Sequence, residues 1–254
     1  MPILDEKFSV PSIEKFRAMI SPEGVAPLHV GIVIGPGFVP MDMVGIQTVF
    51  GLMPGTEIHL VWKSLDLVEG FPSWWTKPTT TFADCPDLDV IAVPMLPPEI
   101  LNDAEAVEFV AAQGRRARCV IGICYGVLML GAAGLLRNRR VTSSHNALPI
   151  LSHLGAAEVV QGGAGVVVDG NLYTAGPGVG SFEAALLAVE RIFGRSSAEF
   201  AEWIIEYDPH PPFGTGNAIR AQPLRVSQSE ALMADITFQY SHVAVEAFAK
   251  ISRR

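Results

Sequence analysis

Cysteine is scarce in this chain: Cys85, Cys119 and Cys124 are its three among 254 residues. An odd number with no metal-ligand spacing excludes a disulfide framework and points to a reducing, cytoplasmic setting. Positive charge is scarce too. The 18 Lys and Arg face 26 Asp and Glu, for a formal net charge of -8. Phosphate binding needs a basic surface, so nucleic acid is not an expected partner. An apolar leader is missing, because residues 1–21 interleave Asp5, Glu6, Lys7, Glu14, Lys15 and Arg17 among their apolar positions, unlike a signal peptide. The uncharged run over residues 119–136 approaches the length of a membrane span. Gly122, Gly126, Gly131 and Gly134 break it, and a strand followed by a buried helix accounts for it without a membrane. Histidines 29, 59, 153, 210 and 242 read as scattered, and no metal or other cofactor is expected. Repeats and low-complexity linkers are also lacking.

What is present is apolar sequence, 49% of the chain, enough for a sizeable core. Residues 28–34, 57–62 and 88–93 are short apolar runs of the kind that form strands buried on both faces. Helical spacing follows over residues 41–52, with Asp42 at the helix entrance, where an acid complements the helix dipole. Asn102-x-x-Glu105 predicts a capping box for a helix to Gln113 with Gly114 beyond its end. Strands alternating with helices predict an α/β domain with a mostly parallel central sheet. Further on, a strand is expected over residues 139–143 and a helix over 147–154. Strands over 158–160, 166–168 and 172–174 follow, with a hairpin turn at Asp169-Gly170-Asn171. Gly176-Pro177-Gly178-Val179-Gly180 lacks the Lys-Ser/Thr and Gly-x-Gly-x-x-Gly of phosphate cradles and reads as a tight loop into a helix over 181–193. Residues 197–207 are expected to be helical, and Ser227-x-x-Glu230 to cap a last helix to about residue 251. We read residues 28–254 as a single domain behind an N-terminal arm over residues 1–27 that carries a short helix over 13–20.

The chemistry concentrates at Gly122-Ile123-Cys124-Tyr125-Gly126, with an apolar strand before it and a helical run after it. Glycines flanking a nucleophile describe a strand–elbow–helix turn, in which a Cβ on either side would collide with neighbouring backbone. The helix N-terminus favours a thiolate and predicts a lowered Cys124 pKa, opposed by Asp42 if that carboxyl is ionised. A buried structural cysteine between a core strand and a core helix satisfies the same pattern.

The elbow, the Asp89-Val90-Ile91-Ala92-Val93-Pro94 strand and the Asp169-Gly170-Asn171-Leu172-Tyr173-Thr174-Ala175-Gly176 hairpin resemble the PfpI-like, glutamine-amidotransferase-like superfamily. Within it they are most similar to the isonitrile hydratase family. Blocks such as Glu57-Ile58-His59-Leu60-Val61-Trp62-Lys63 and Glu206-Tyr207-Asp208-Pro209-His210-Pro211-Pro212-Phe213 carry the resemblance across residues 28–216. It implies a flavodoxin-like three-layer sandwich that forms a homodimer and works on a small molecule without a cofactor. It also implies Cys124 as nucleophile and Asp42 as acid/base. Three departures surround the cysteine. Pro94-Met95-Leu96 stands where the family has Pro-Gly-Gly, a turn whose N–H faces the nucleophile, so Met95 and Leu96 reshape that pocket. Tyr125 replaces a Thr, and His145-Asn146 replaces His-Trp. No His follows Cys124 directly, which counts against peptide hydrolysis. His145 sits in a polar loop, with Ser143 and Ser144, as a general base or as a histidine satisfied by loop backbone. Trp74 and Trp75 suit the site or a dimer contact.

The resulting expectation is hydration of isonitriles to N-substituted formamides, a hydro-lyase reaction. The alternatives are a small-molecule or oxidant sensor acting through Cys124, and a glyoxalase- or deglycase-like enzyme.

Overall fold

The computed structural model describes residues 26–163 and 165–253, together with Lys15 and Ala18. Lys15 and Ala18 are helical; the rest of the expected helix over 13–20 lies outside the described residues.

The long apolar runs become the centre of a seven-stranded sheet. In chain order its strands are β1 (Leu28–Val33), β2 (Thr56–Trp62), β5 (Thr80–Thr81), β6 (Val90–Val93), β7 (Cys119–Ile123), β10 (Val167–Asp169) and β11 (Leu172–Ala175). Across the sheet they run β10-β11-β7-β6-β1-β2-β5, all parallel except β10, which pairs antiparallel with β11. Val30, Ile32, Ile91, Ala92, Ile121 and Ile123 are fully buried, because helices cover both faces and alternation would serve no purpose. Each such aliphatic side chain contributes about 1.5–3 kcal/mol by leaving water. The stretch over 63–82 holds, besides β5, a small hairpin of β3 (Val68–Gly70) and β4 (Trp74–Thr76).

The helices are α1 (Pro40–Gly51), α2 (Pro98–Leu101), α3 (Ala104–Arg116), α4 (Gly126–Ala132), α5 (Leu148–Leu151), α6 (Val179–Phe193), α7 (Arg195–Ile204) and α8 (Pro223–Ile251). Helix α8 packs on α2 and α4 and buries Tyr240, Ala244 and Ala247.

Several local expectations give way. The cap of α3 is Asp103, whose Oδ1 accepts from the Glu105 and Ala106 N–H groups. Asn102 instead closes α2, a turn of helix that opens at Pro98 and shifts the start of α3 by one residue. Gly114 lies inside α3, where a Cβ would stand 2.3 Å from Leu135 Cδ1, so close packing and not a helix end requires it. Helix α8 begins at Pro223, with the rigid ring in its first turn, and Ser227 bonds the Leu224 carbonyl from within that helix. Residues 147–154 form α5 between two 3-10 turns. The strand expected over 139–143 shortens to β8 (Arg140–Val141), which pairs parallel with β9 (Glu158–Val159) apart from the main sheet.

The histidines are not all scattered. Parallel pairing of β1 with β2 aligns His29 with Glu57 and Gly31 with His59, and His29 Nδ1 stands 3.1 Å from His59 Nε2. Linear spacing hides this, because strand adjacency and not sequence proximity makes the contact.

Candidate active site

Strand β7 ends at Ile123, and the chain turns at once into α4. Cys124 occupies the turn at φ 57, a left-handed conformation that costs a non-glycine residue about 1–3 kcal/mol and persists only where the surroundings enforce it. Two hydrogen bonds enforce it. The Cys124 N–H donates to the Ala175 carbonyl at 3.0 Å, and the Ser143 hydroxyl donates to the Cys124 carbonyl at 2.6 Å. Gly126 must lack a side chain, since a Cβ there would lie 2.1 Å from the Val93 carbonyl oxygen. A Cβ on Gly122 would meet Leu130 Cδ1 at 2.6 Å.

Asp42 approaches from α1. That helix opens on Pro40 without a side-chain cap, so the first-turn carboxylate does not serve its own helix end. It reaches across to two loops. Its Oδ1 accepts from the Gly178 N–H at 2.8 Å, and its Oδ2 accepts from the Met95 N–H at 3.2 Å. Met95 links it to the cysteine, since the Met95 N–H bonds Asp42 Oδ2 and the Met95 sulfur lies 4.0 Å from Cys124 Sγ. Asp42 thus ties together the loops after β1, β6 and β11, at the carboxyl ends of the strands where open α/β sheets carry their sites. Burial raises its pKa above the usual carboxylate value, opposed by the Gly178 and Met95 N–H groups and by the nearby Cys124.

The lowered thiol pKa expected from the elbow does not emerge. Burial pushes the Cys124 thiol up, the Asp42 charge pushes it the same way, and the Tyr125 N–H and Ser144 hydroxyl only partly oppose them. Helix α4 is seven residues long, and its dipole end does not outweigh the desolvation of a thiol that is 6% exposed.

The other expected site residues separate. Met95 comes to the centre, with Sδ 4.0 Å from Cys124 Sγ, but its N–H is engaged by Asp42 instead of facing the nucleophile. Leu96 is fully buried, and its carbonyl accepts from the Tyr240 hydroxyl at 2.6 Å. Tyr125 points away from the thiol into the contact with α8. Its hydroxyl lies 2.8 Å from Thr237 Oγ1, and its ring packs on Tyr240 at 4.6 Å. His145 has the carboxylate partner that its neighbours in sequence do not supply: Glu230 of α8, with Nε2 3.2 Å from Oε1. Sequence reasoning missed Gly178, Thr237, Glu230 and Tyr240. Ser143 and Ser144 belonged to a recognised polar loop, but nothing there marked them as partners of Cys124. The Gly-Pro-Gly stretch was the one available signal for Gly178, which has φ 63.

One cleft reaches Gly178, a partner of Asp42, and another reaches Thr237, the partner of Tyr125. The first, about 510 Å³, is lined by Met41, Val44, Phe71, Trp74, Gly178 and Phe182. The other, about 470 Å³, is lined by His145, Asn146, Gln161, Glu230, Ala234 and Thr237. Met43, Met53 and Phe50 are buried, while Met41 is 57% exposed at the first cleft. Among the described residues no helix is long and apolar enough to cross a membrane.

The DJ-1/PfpI family pattern matches residues 29–190. Over 230 residues the chain is 34% identical to the isonitrile hydratase of Pseudomonas putida, covering 89% of this chain and 99% of that protein. The crystal structure of a ThiJ/PfpI family protein from Pseudomonas syringae is similar at a TM-score of 0.80 and 32% identity, over 96% of this chain and 97% of that one. DJ-1beta of Drosophila melanogaster, at 18% identity and a TM-score of 0.63 over 72% of this chain and 100% of its own, shares the fold. With its elbow cysteine on a parallel sheet and these matches along most of its length, the chain belongs to the DJ-1/PfpI family.

Proposed function

We propose that this protein hydrates isonitriles to N-substituted formamides, with Cys124 as the nucleophile and Asp42 as the acid/base. The observation that carries the reading is the burial of Asp42 beside Cys124, with Met95 touching both through its N–H and its sulfur. An isonitrile is uncharged, and its terminal carbon must gain both a nucleophile and a proton. A thiol beside a carboxyl supplies both. Sulfur attacks the carbon while Asp42 takes the thiol proton and delivers it to that same carbon, giving a thioimidate, R–N=CH–S–Cys124. Water then adds to the thioimidate carbon as Asp42 accepts one of its protons. Asp42 passes that proton to the nitrogen, and as the C–S bond breaks the new hydroxyl gives up its proton, which goes to sulfur. Isonitrile plus water becomes R–NH–CHO, and the thiol is regenerated. The Tyr125 N–H and the Ser144 hydroxyl, which favour the anionic sulfur, steady the charge that develops there.

Substrate shape supports the same reading. The thiol is 6% exposed, and a linear isonitrile terminus is slim enough to reach it where a branched carbonyl adduct of the glyoxalase or deglycase kind fits less well. The oxidant-sensor reading loses ground, because oxidation needs thiolate and exposure, whereas burial and Asp42 hold this sulfur protonated.

The reaction needs neither metal nor nucleotide. Cys85, Cys119 and Cys124 are free thiols, which supports a reducing, cytoplasmic setting. A homodimer is part of the same proposal. Met41, Phe71, Trp74, Trp75 and Val179 are 57%, 69%, 47%, 61% and 51% exposed, an apolar face of the kind that association covers. The test is a panel of alkyl and aryl isonitriles incubated with purified protein and no added cofactor, with formamide read by NMR. Steady formamide production supports the reading. A folded protein inert across the panel overturns it.

A further inference from the structure

We propose that His29, Glu57 and His59 form a binding site for a zinc-class divalent metal ion, at the end of the sheet opposite the elbow. His29 and Glu57 are register partners near the starts of β1 and β2, and His59 lies two residues beyond Glu57 on the same face. Cys124 follows the far end of the parallel strand β7, so this cluster is separate from the reactive thiol.

The spacing suits one ion. His29 Nδ1 is 3.1 Å from His59 Nε2 and 3.6 Å from Glu57 Oε2, and all three ligand atoms lie within 4.8 Å of one another. Tetrahedral zinc with bonds of about 2.0–2.1 Å separates its ligand atoms by roughly 3.3–3.4 Å. Two imidazoles and a carboxylate are a donor set for Zn²⁺ and its neighbours in the first transition row. The outer shell is also in place. His59 Nδ1 is 3.0 Å from the Thr80 hydroxyl, so an N–H donated to Thr80 leaves the Nε2 lone pair for the ion. The Glu57 side chain is 59% exposed and that of His29 23% exposed, so an ion enters from solvent. Three protein ligands leave a fourth position for water. An ion held only by the paired strands clips β1 to β2 and stabilises the folded chain.

Untagged protein titrated with Co²⁺ and with Zn²⁺ tests the site, by cobalt visible absorption and by calorimetry. The expected result is one ion per chain, intense four- or five-coordinate cobalt bands and a raised Tm. Affinity should drop at least about 100-fold in His29→Ala and His59→Ala, and about 10-fold in Thr80→Val, which removes only the outer partner. Glu57→Gln, at an exposed position, weakens binding without threatening the fold. Absence of stoichiometric uptake at micromolar protein overturns the proposal. So does uptake that survives in both histidine variants and disappears in Cys124→Ala.

Discussion

Cys124 and Asp42 meet deep in the fold through Met95, whose N–H bonds Asp42 Oδ2 and whose sulfur lies 4.0 Å from Cys124 Sγ; the cysteine is 6% and the aspartate 0% exposed. Each raises the cost of removing a proton from the pair: sulfur faces a carboxylate, and the carboxylate is held away from water. Two such groups titrate together, and burial with the Asp42 charge keeps the resting thiol protonated.

Alkylation of Cys124 should therefore rise with pH later than alkylation of an ordinary thiol, with a midpoint above the unperturbed value of 9.0. Asp42→Asn removes the facing charge and should move that midpoint down. Iodoacetamide rates at each pH, resolved by peptide mapping, measure both. The Cys85 thiol, pushed up to about 11 chiefly by burial, should also lag. A Cys124 midpoint at or below 9.0 would contradict this.

Stability carries the same sign. A thiol whose folded pKa lies above its unfolded one keeps its proton longer when folded. Its contribution is intact below the unfolded value of 9.0 and is lost as pH rises toward the folded one. The Tm should fall between pH 9 and 10.5, less steeply in Cys124→Ala than in wild type. Parallel curves for the two proteins would show that Cys124 titrates alike in both states.

Tyr125 acts as a strut between the elbow and α8 and does not narrow the pocket. Tyr125→Phe should cost about 0.5–1.5 kcal/mol through the lost Thr237 bond. Tyr125→Thr, which also empties the space against Tyr240, should cost about 3–5 kcal/mol by analogy with aromatic truncation. Urea unfolding measures both. A neutral Tyr125→Thr would mean the strut is dispensable.

Much of this architecture was legible because it follows from continuous apolar runs. Strands buried on both faces cannot alternate, and residues 28–33, 90–93 and 119–123 do not. The elbow was legible because close backbone approach demands Gly126, while at Gly122 the crowding comes from the Leu130 side chain. The failures share a cause: the decisive neighbour lay far along the chain. Glu230 and Thr237 reach His145 and Tyr125 from a helix that begins at Pro223. The raised Cys124 pKa follows from burial beneath Met95 and Asp42, which the local helix-end reasoning could not weigh. The His29–His59 contact depends on strand register. At α3 the rival caps Asn102 and Asp103 differ by one residue, and Pro98 decided between them by opening a separate turn.

Light scattering at micromolar concentration should give a dimer mass for the wild-type protein. Phe71→Glu, which places a charge on the apolar face beside Trp74, should shift it toward monomer. A wild-type monomer would end the dimer proposal, and an undisturbed Phe71→Glu dimer would move the interface to another face.

The most direct measurement is formamide production from one good isonitrile by wild type, Cys124→Ala and Asp42→Asn, each first shown to be folded. That check matters for Asp42→Asn, because an amide oxygen replaces two carboxylate acceptors and strains the bonds from Gly178 and Met95. The account predicts activity in wild type, none above background in Cys124→Ala, which cannot form the thioimidate, and a loss of about 10²–10⁴-fold in Asp42→Asn. Formamide appearing at the wild-type rate from folded Cys124→Ala would contradict it.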